Sequence, residues 1–290
     1  MVRSRSTRIG DGVIIFICIL VILVCLLPLL NILARSLSEP AAVMRSQVGL
    51  WPKGFNLQAY KLVLADAQYT QSIMWTAVLT IFYTMLSITM TVLCAYPLIY
   101  DQLKGRRFFN TIILFTMYFN AGMIPNYLLY KSLGLLDNPW VLVLPNCLSV
   151  FNMIIMRSFF YGIPESLRES ADIDGAGPIR ILLHIYLPLS TAVIASLSLF
   201  YAVGRWNGYS DALYFLINAR KYHPIQLHLY NILNSIANID VALTEGGTVP
   251  GLSDSLKMAT VMFATVPILI VYPFLQKYFI TGVTLGAVKG

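Results

Sequence analysis

Residues 164–188 read PESLRESADIDGAGPIRILLHIYLP and interrupt long apolar runs with a charged segment. A charge at the centre of a membrane-spanning helix costs about 2.5–3.5 kcal/mol, so we expect this segment to lie in water. Glu165 and Glu169 suit the positive end of a helix dipole, and Gly175 suits the left-handed end of that helix. Pro178 suits the first turn of a second helix. The stretch therefore predicts two helices joined at a corner on a membrane surface, with an ordinary solvated loop as the alternative.

The composition indicates a polytopic membrane protein. Of the 290 residues, 58% are hydrophobic and only 11% are charged, and the mean hydropathy is +0.72. Soluble domains carry about 25% charged residues. The net charge of +7 comes from basic residues beside apolar runs. This placement fits membrane topology, so we expect a lipid bilayer and no nucleic acid as partner.

The sequence predicts that this chain binds no metal or cofactor of its own. Its four cysteines lie inside apolar runs, and none has metal-ligand spacing with His223 or His228. The motif G-x-x-x-x-G-K-[ST] is absent from the sequence, so the chain lacks a Walker-type ATP site.

Apolar run lengths predict a domain of six membrane spans. The predicted spans are residues 13–34, 72–99, 108–130, 139–160, 188–217 and 257–280. The whole transmembrane domain is predicted at 13–282, between a cytoplasmic N-terminus (1–12) and a cytoplasmic tail (283–290). Its predicted loops are two outer loops (36–70 and 218–256) and a cytoplasmic loop (161–188). Basic residues at the N-terminus and in the loop 101–107 set this orientation, which places both termini in the cytoplasm.

The charged stretch resembles the EAA loop of permease subunits of binding-protein-dependent ABC importers. That loop has Glu-Ala-Ala, three residues, Gly, nine residues, Ile, any residue and Leu-Pro. Here the same intervals separate Glu169-Ser170-Ala171, Gly175, Ile185 and Leu187-Pro188, with serine in place of the first alanine. The span layout and the pair Trp206-Asn207 resemble the maltose-importer type, and the tail GVTLGAVKG resembles members for complex oligosaccharides and polysaccharides.

This resemblance implies an all-α, type I importer fold with a cytoplasmic coupling helix. It implies a bacterial cytoplasmic membrane, a second homologous permease subunit, two ATPase subunits that bind ATP and Mg, an extracytoplasmic solute-binding protein and a carbohydrate substrate. The ATPase activity would belong to the partner subunits and not to this chain. The residues expected to couple to the ATPase are Glu165, Glu169, Ser170, Ala171, Asp172, Asp174, Gly175 and Ala176.

A sugar path should combine amides and carboxylates, which bind hydroxyls, with aromatic rings, which pack on sugar faces. The candidates are Tyr118, Asn120, Asn146, Asn152, Arg205, Trp206, Asn207, Tyr209 and Asp211. A structural role is the alternative for each, since Asn often bonds a neighbouring helix and Trp or Tyr often anchors at an interface. Arg205 would recognise an anionic sugar such as a uronic acid, or would pair with Asp211.

Other functions are also compatible with part of this pattern. The EAA loop is shared by importers of many solutes, so a non-sugar substrate is the first alternative. A membrane scaffold whose loop binds a cytoplasmic partner is the second. An enzyme of the bilayer is disfavoured, because no nucleophile, metal cluster or carboxylate pair converges within the spans.

Overall fold

The computed structural model of the chain describes residues 5–242, 254–270 and 273, and in this part the secondary structure is helical without a β-strand. The helices are α1 (Arg5–Ser36), α2 (Pro40–Met44), α3 (Gln58–Ala65), α4 (Ala67–Ala95), α5 (Arg106–Tyr118), α6 (Met123–Ser132), α7 (Val150–Tyr161), α8 (Glu165–Ile173), α9 (Pro178–Ile181), α10 (Leu187–Leu189), α11 (Thr191–Asn207), α12 (Ser210–Phe215), α13 (Ile225–Ala242) and α14 (residues 254–270). The all-α fold predicted from the sequence is confirmed.

Two helices of the described chain are long and apolar enough to cross a membrane, at Gly10–Ser36 and Ala67–Ile99. Two further helix pairs meet this criterion together but are bent, so the described residues hold two to four candidate spans. The predicted spans 13–34 and 72–99 fall within the two long helices. The end of the predicted span 257–280, part of the loop 218–256 and the tail 283–290 lie outside the described residues, so the count of six spans stays a prediction.

Residues 108–130, predicted as one span, form α5 and α6 with a bend of 117° between them. Gly122 adopts a left-handed φ of +88° at the break, a conformation that glycine reaches without steric cost. The Asn120 side chain accepts a hydrogen bond from the Gly122 N–H at 2.8 Å. The break is therefore specified locally by an asparagine and a glycine.

The fourth predicted span, 139–160, is helical only at its two ends. A 3-10 turn covers Pro139–Leu142, and α7 begins after Ser149. The Ser149 hydroxyl caps α7 by accepting the Asn152 N–H at 3.3 Å. Between these ends the backbone is irregular, in the segment that contains Pro145.

The described residues divide into two compact units. The first contains those up to Thr70 and those in Leu229–Val266. Within it, the Asn31 amide donates to the Gly49 carbonyl at 2.7 Å and the Tyr69 hydroxyl donates to the Thr260 carbonyl at 3.1 Å.

The second unit contains Gln71–His228 and the residues from Pro267 onward, and it holds two buried clusters. One cluster is centred on Met153, Met156 and Phe160 of α7. The other is centred on Leu142, Tyr201 and Leu216.

Asp137 joins two loops of the second unit that the sequence places on the outer side of the membrane. Its carboxylate accepts the Asn218 backbone N–H at 2.7 Å, the Asn218 side-chain amide at 2.8 Å and the Ala219 N–H at 3.3 Å. The hydrogen bonds from Asn218 hold the pKa of this carboxyl below its usual value. The charged form of Asp137 therefore contributes to stability.

We expect Asp137→Asn to lower the unfolding temperature of the detergent-solubilised protein by a few degrees at neutral pH, because an amide accepts fewer of these bonds. The folded-state pKa is depressed, so the contribution is full above the ordinary value of about 3.9 and is lost as pH falls through the folded-state value. Thermal melts of both proteins across this pH range check the prediction. An equal difference in unfolding temperature at neutral and strongly acidic pH would contradict it.

Candidate functional site

The charged stretch forms two helices joined at a corner, as its sequence predicts. α8 ends in a Schellman motif, in which the Ala176 N–H donates to the Ala171 carbonyl at 2.9 Å and the Gly175 N–H to the Asp172 carbonyl at 3.1 Å. Gly175 supplies the required left-handed residue, with φ of +75°. Pro178 is the first residue of α9. We call residues 165–181 the elbow.

An aromatic cluster holds the base of the elbow against the bundle. We call its four residues, Tyr96, Tyr100, Phe160 and Tyr186, the aromatic clamp. The ring centroids of Tyr96 and Tyr186 are 5.2 Å apart, those of Phe160 and Tyr186 are 5.3 Å apart, and both pairs meet edge to face. The Tyr96 hydroxyl donates to the Pro178 carbonyl at 3.0 Å, which ties the start of α9 to the end of α4.

Arg168 organises the charges of α8 within the chain itself. Its guanidinium binds Glu165 at 2.5 Å and Asp172 at 3.1 Å, and lies 5.5 Å from the centre of the Tyr100 ring. The hydrogen bond to Glu165 raises the pKa of Arg168 above its usual value. Two of the predicted coupling residues, Glu165 and Asp172, therefore have a partner on their own helix.

The other predicted coupling residues separate into an inner and an outer set. Ala171 and Ala176 pack against the buried cluster of α7, so their small size serves packing inside this chain. Glu169, Ser170 and Asp174 are exposed, as is Gly175 at the corner.

Two exposed isoleucines of the elbow were missed by the sequence analysis. Ile173 is 86% exposed and Ile179 is 74% exposed. An isoleucine between two aspartates, on a helix whose other apolar residues are Leu167 and Ala171, was the signal that could have identified the first one. Both side chains give the acidic outer surface an apolar component, which is typical of a protein-binding surface.

The loop 101–107 lies beside the end of α7 and the elbow, so two segments predicted to be cytoplasmic share one face of the second unit. Arg106 donates from Nε to the Leu98 carbonyl at 3.0 Å and also binds Asp101 and the Tyr161 hydroxyl. Tyr161 in turn donates to the Leu98 carbonyl at 3.2 Å.

A cavity of about 400 Å³ brings together polar residues of α4, α7 and α11. We call it the polar cavity. Its lining residues are Tyr83, Asn146, Leu148, Ser149, Asn152, Phe200, Tyr201, Gly204 and Arg205. Three predicted path residues, Asn146, Asn152 and Arg205, line it. Because it offers amides, hydroxyls and aromatic rings, this cavity could hold a sugar unit.

Arg205 is the charged residue of the polar cavity and is only 5% exposed. It pairs with both carboxylate oxygens of Asp211 and donates to the Leu142 carbonyl at 2.9 Å and the Gly208 carbonyl at 3.2 Å. A buried charge requires such a partner. Of the two roles that the sequence left open for Arg205, pairing with Asp211 is therefore the one that the structure contains.

The remaining predicted path residues do not line the polar cavity. Trp206 lines a separate, apolar cavity of about 410 Å³ between α4 and α11. Tyr118 and Asn120 are exposed at the break between α5 and α6. Asn207 is exposed and its side chain accepts a bond from Gln226 at 3.4 Å, and Tyr209 is 36% exposed.

Three hydroxyl-bearing residues of the polar cavity were not predicted from the sequence: Tyr83, Ser149 and Tyr201. Tyr83 donates to the Asn146 carbonyl at 2.6 Å. The Tyr201 hydroxyl bonds that of Thr91 at 2.7 Å and accepts the Ser149 N–H at 3.0 Å. Tyrosines inside apolar spans were the available signal. In the described ranges, no group of three or more His, Cys, Asp and Glu residues could hold a metal ion.

Broken helices around a polar cavity in an all-α membrane bundle are typical of membrane transport proteins. The chain belongs to the family described as "binding-protein-dependent transport system inner membrane component", which matches residues 78–285.

Known relatives resemble the chain over almost its whole length. The polygalacturonan/rhamnogalacturonan transport system permease protein YtcP of Bacillus subtilis is 39% identical over 98% of this chain and 100% of its own. Protein LplC of the same organism is 40% identical over 92% of this chain and 90% of its own. One chain of the crystal structure of a bacterial ABC transporter involved in the import of the acidic polysaccharide alginate is 35% identical, with a TM-score of 0.86 over 96% of this chain and 99% of that chain. This match confirms the type I ABC permease fold.

The hydrogen bonds that Arg205 makes to Asp211, Leu142 and Gly208 leave little space for a side chain at position 208. A Cβ atom at this position would lie 2.8 Å from Arg205 Nη2. We expect Gly208→Ala to lower the free energy of unfolding by about 1–3 kcal/mol, because the added methyl group overpacks against the buried Arg205. Thermal melts of the purified protein measure this.

Gly177→Ala is the matched control, because its Cβ would have no neighbour within 4 Å. If both variants unfold at the same temperature, the Arg205 side chain can move aside for the added methyl group and the prediction is wrong.

Proposed function

We propose that this chain is a permease subunit of an ABC importer that moves oligosaccharides or polysaccharide fragments across the bacterial cytoplasmic membrane. It works with a second, homologous permease subunit, two ATPase subunits and an extracytoplasmic solute-binding protein. Both termini and the elbow face the cytoplasm.

The elbow is the observation that carries this proposal. It combines the EAA spacing with a Schellman-capped acidic helix, a base held by the aromatic clamp and an outer surface bearing Ile173 and Ile179. A coupling element must be stiff to transmit movement and must expose groups that a partner can bind. The elbow meets both requirements.

The elbow docks in a groove of an ATPase subunit, and closure of the ATPase dimer moves it together with the attached helices. The ATPase subunits supply ATP binding, Mg and hydrolysis. This chain supplies the docking surface and part of the path.

A carbohydrate substrate is supported by the relatives and by the polar cavity. Two of the relatives above belong to systems that transport polygalacturonan and rhamnogalacturonan, or alginate. The cavity provides the amides, hydroxyls and aromatic rings that bind sugars. Reconstitution with the partner subunits in proteoliposomes tests the proposal through sugar uptake driven by ATP. The sugar substrate would be refuted if no oligosaccharide is taken up, even when it is supplied bound to the solute-binding protein.

We expect Gly175→Leu to leave membrane insertion intact but to uncouple ATP hydrolysis from uptake. Leucine in the left-handed conformation costs about 1–2 kcal/mol, and its side chain would project from the exposed corner of the elbow. ATPase activity and uptake are measured together in proteoliposomes.

Gly134→Leu is the matched control for backbone strain. Gly134 has φ of +68° and open space around its Cβ, and it lies outside the elbow. Normal transport by Gly175→Leu, or the same uncoupling in Gly134→Leu, would contradict a specific role of the corner.

We expect Ile173→Ser to weaken binding of the ATPase subunits by about tenfold or more, because burial of an isoleucine contributes about 1.5–3 kcal/mol. Its 86% exposure means that the substitution removes no internal packing. Co-purification and titration of the ATPase measure the effect.

Trp51→Ser removes another apolar side chain, which is 83% exposed in the predicted outer loop 36–70. Unchanged ATPase affinity is expected for this control. Equal affinities for Ile173→Ser and wild type would exclude Ile173 from the docking surface.

A further inference from the structure

We propose that the polar cavity is a sugar subsite that binds hydroxyl groups and ring faces and does not bind carboxylates, because its single cation is already neutralised. This inference rests on the proposed function and specifies which part of the sugar this chain contacts. According to this proposal, the carboxylates of acidic sugars are recognised outside the polar cavity.

The charge of the cavity is balanced by a buried ion pair. Arg205 is the charged residue among those lining the cavity, and Asp211 binds it through both carboxylate oxygens. The side chains of Arg205 and Asp211 are only 4% and 16% exposed. A carboxylate entering the cavity would therefore lose its hydration and meet no net positive charge.

The hydrogen-bonding capacity of the guanidinium leads to the same conclusion. Its two Nη atoms are engaged by Asp211 and by the carbonyls of Leu142 and Gly208. Nε is the one nitrogen of Arg205 without an acceptor in the described part of the chain. Guanidinium binds a carboxylate best through two parallel N–H groups. Nε is itself buried, so the guanidinium has no pair of N–H groups left for a carboxylate.

The other walls of the cavity suit the uncharged parts of a sugar. The hydroxyls of Tyr83 and Tyr201 are used in bonds within the chain, so these residues offer mainly their rings. Sugar C–H faces pack on such rings. Asn152, which is 5% exposed, and Asn146 add amides that can both donate to and accept from hydroxyl groups.

Two trisaccharides that differ in a single group per sugar unit provide the test. The probes are α-1,4-linked trimers of galactose and of galacturonate, with a hydroxymethyl or a carboxylate at the same ring carbon. Equilibrium binding of each radiolabelled trimer is measured on the purified complex of this chain and its partner subunits, without the solute-binding protein. Wild type, Asn152→Ala, Asp211→Asn and the control Asn126→Ala on α6 are compared.

We expect Asn152→Ala to weaken binding of both trimers equally, by about fivefold, the value of one ordinary hydrogen bond. Asp211→Asn frees the charge of Arg205. We expect it to shift the ratio of the two dissociation constants toward the acidic trimer by about tenfold, the value of a hydrogen bond to a charged group.

Three results would overturn the proposal: an effect of Asn152→Ala no larger than that of Asn126→Ala, a loss confined to the acidic trimer, or an unchanged ratio in a stably assembled Asp211→Asn complex. If Asp211→Asn does not assemble, the Asn152→Ala result decides alone. Wild-type uptake of oligosaccharides combined with any of these results rejects the subsite and leaves the proposed function standing. Absence of wild-type uptake rejects the sugar substrate of the proposed function itself.

Discussion

Each break in a helix inside an apolar bundle exposes backbone groups that hydrocarbon cannot satisfy, and this constraint shapes the second unit. Asn120 caps the break after α5, and Ser149 caps the start of α7. Arg205 donates to the carbonyls of Gly208, directly after α11, and of Leu142, at the end of the 3-10 turn 139–142. Polar side chains therefore satisfy backbone groups at each of these three breaks. The last two breaks lie side by side, and the polar groups that satisfy them also enclose the polar cavity.

The elbow meets the opposite requirement, because it is a charged segment that must stay in water and still be held rigidly. Edge-to-face aromatic pairs contribute about 0.5–1.5 kcal/mol each beyond their buried area, and the aromatic clamp contains several. Arg168 pairs with two acids of its own helix, which reduces the charge of the outer surface. The outer surface combines Glu169 and Asp174 with Leu167 and two isoleucines, a mixture suited to a protein groove.

Features that single residues specify were predicted well from the sequence. Features that depend on contacts between distant residues were not. The corner at Gly175 and the helix start at Pro178 follow from backbone preferences of single residues, and both were predicted. The bend at Gly122 was missed, because hydropathy averages over a glycine inside an apolar run. Ala171 was expected on a docking surface but packs inward, since the face that a helix buries depends on neighbours that spacing alone does not specify. Tyr83 was missed for the same reason.

The cavity and the elbow are connected through shared helices. Two helices connect the sites. Tyr83 of the cavity lies on α4, and Tyr96 of the aromatic clamp directly follows that helix. Helix α7 carries Asn152 of the cavity and Phe160 of the clamp. At 1.5 Å per residue, the two sites are separated by about 20 Å along α4. Close-packed rings transmit displacement, so α4 and α7 are expected to move with the elbow.

The connection from the elbow to α11 differs, because a π-helical turn at Leu182–Tyr186 and a bend of 82° at Ser190 lie between them. Single π-helical turns inside α-helices occur frequently at functional sites. The wall of the cavity that α11 supplies, including Arg205, is therefore joined to the elbow through a bent connection, whereas hydrogen bonds of Tyr201 join it directly to Thr91 of α4 and to Ser149.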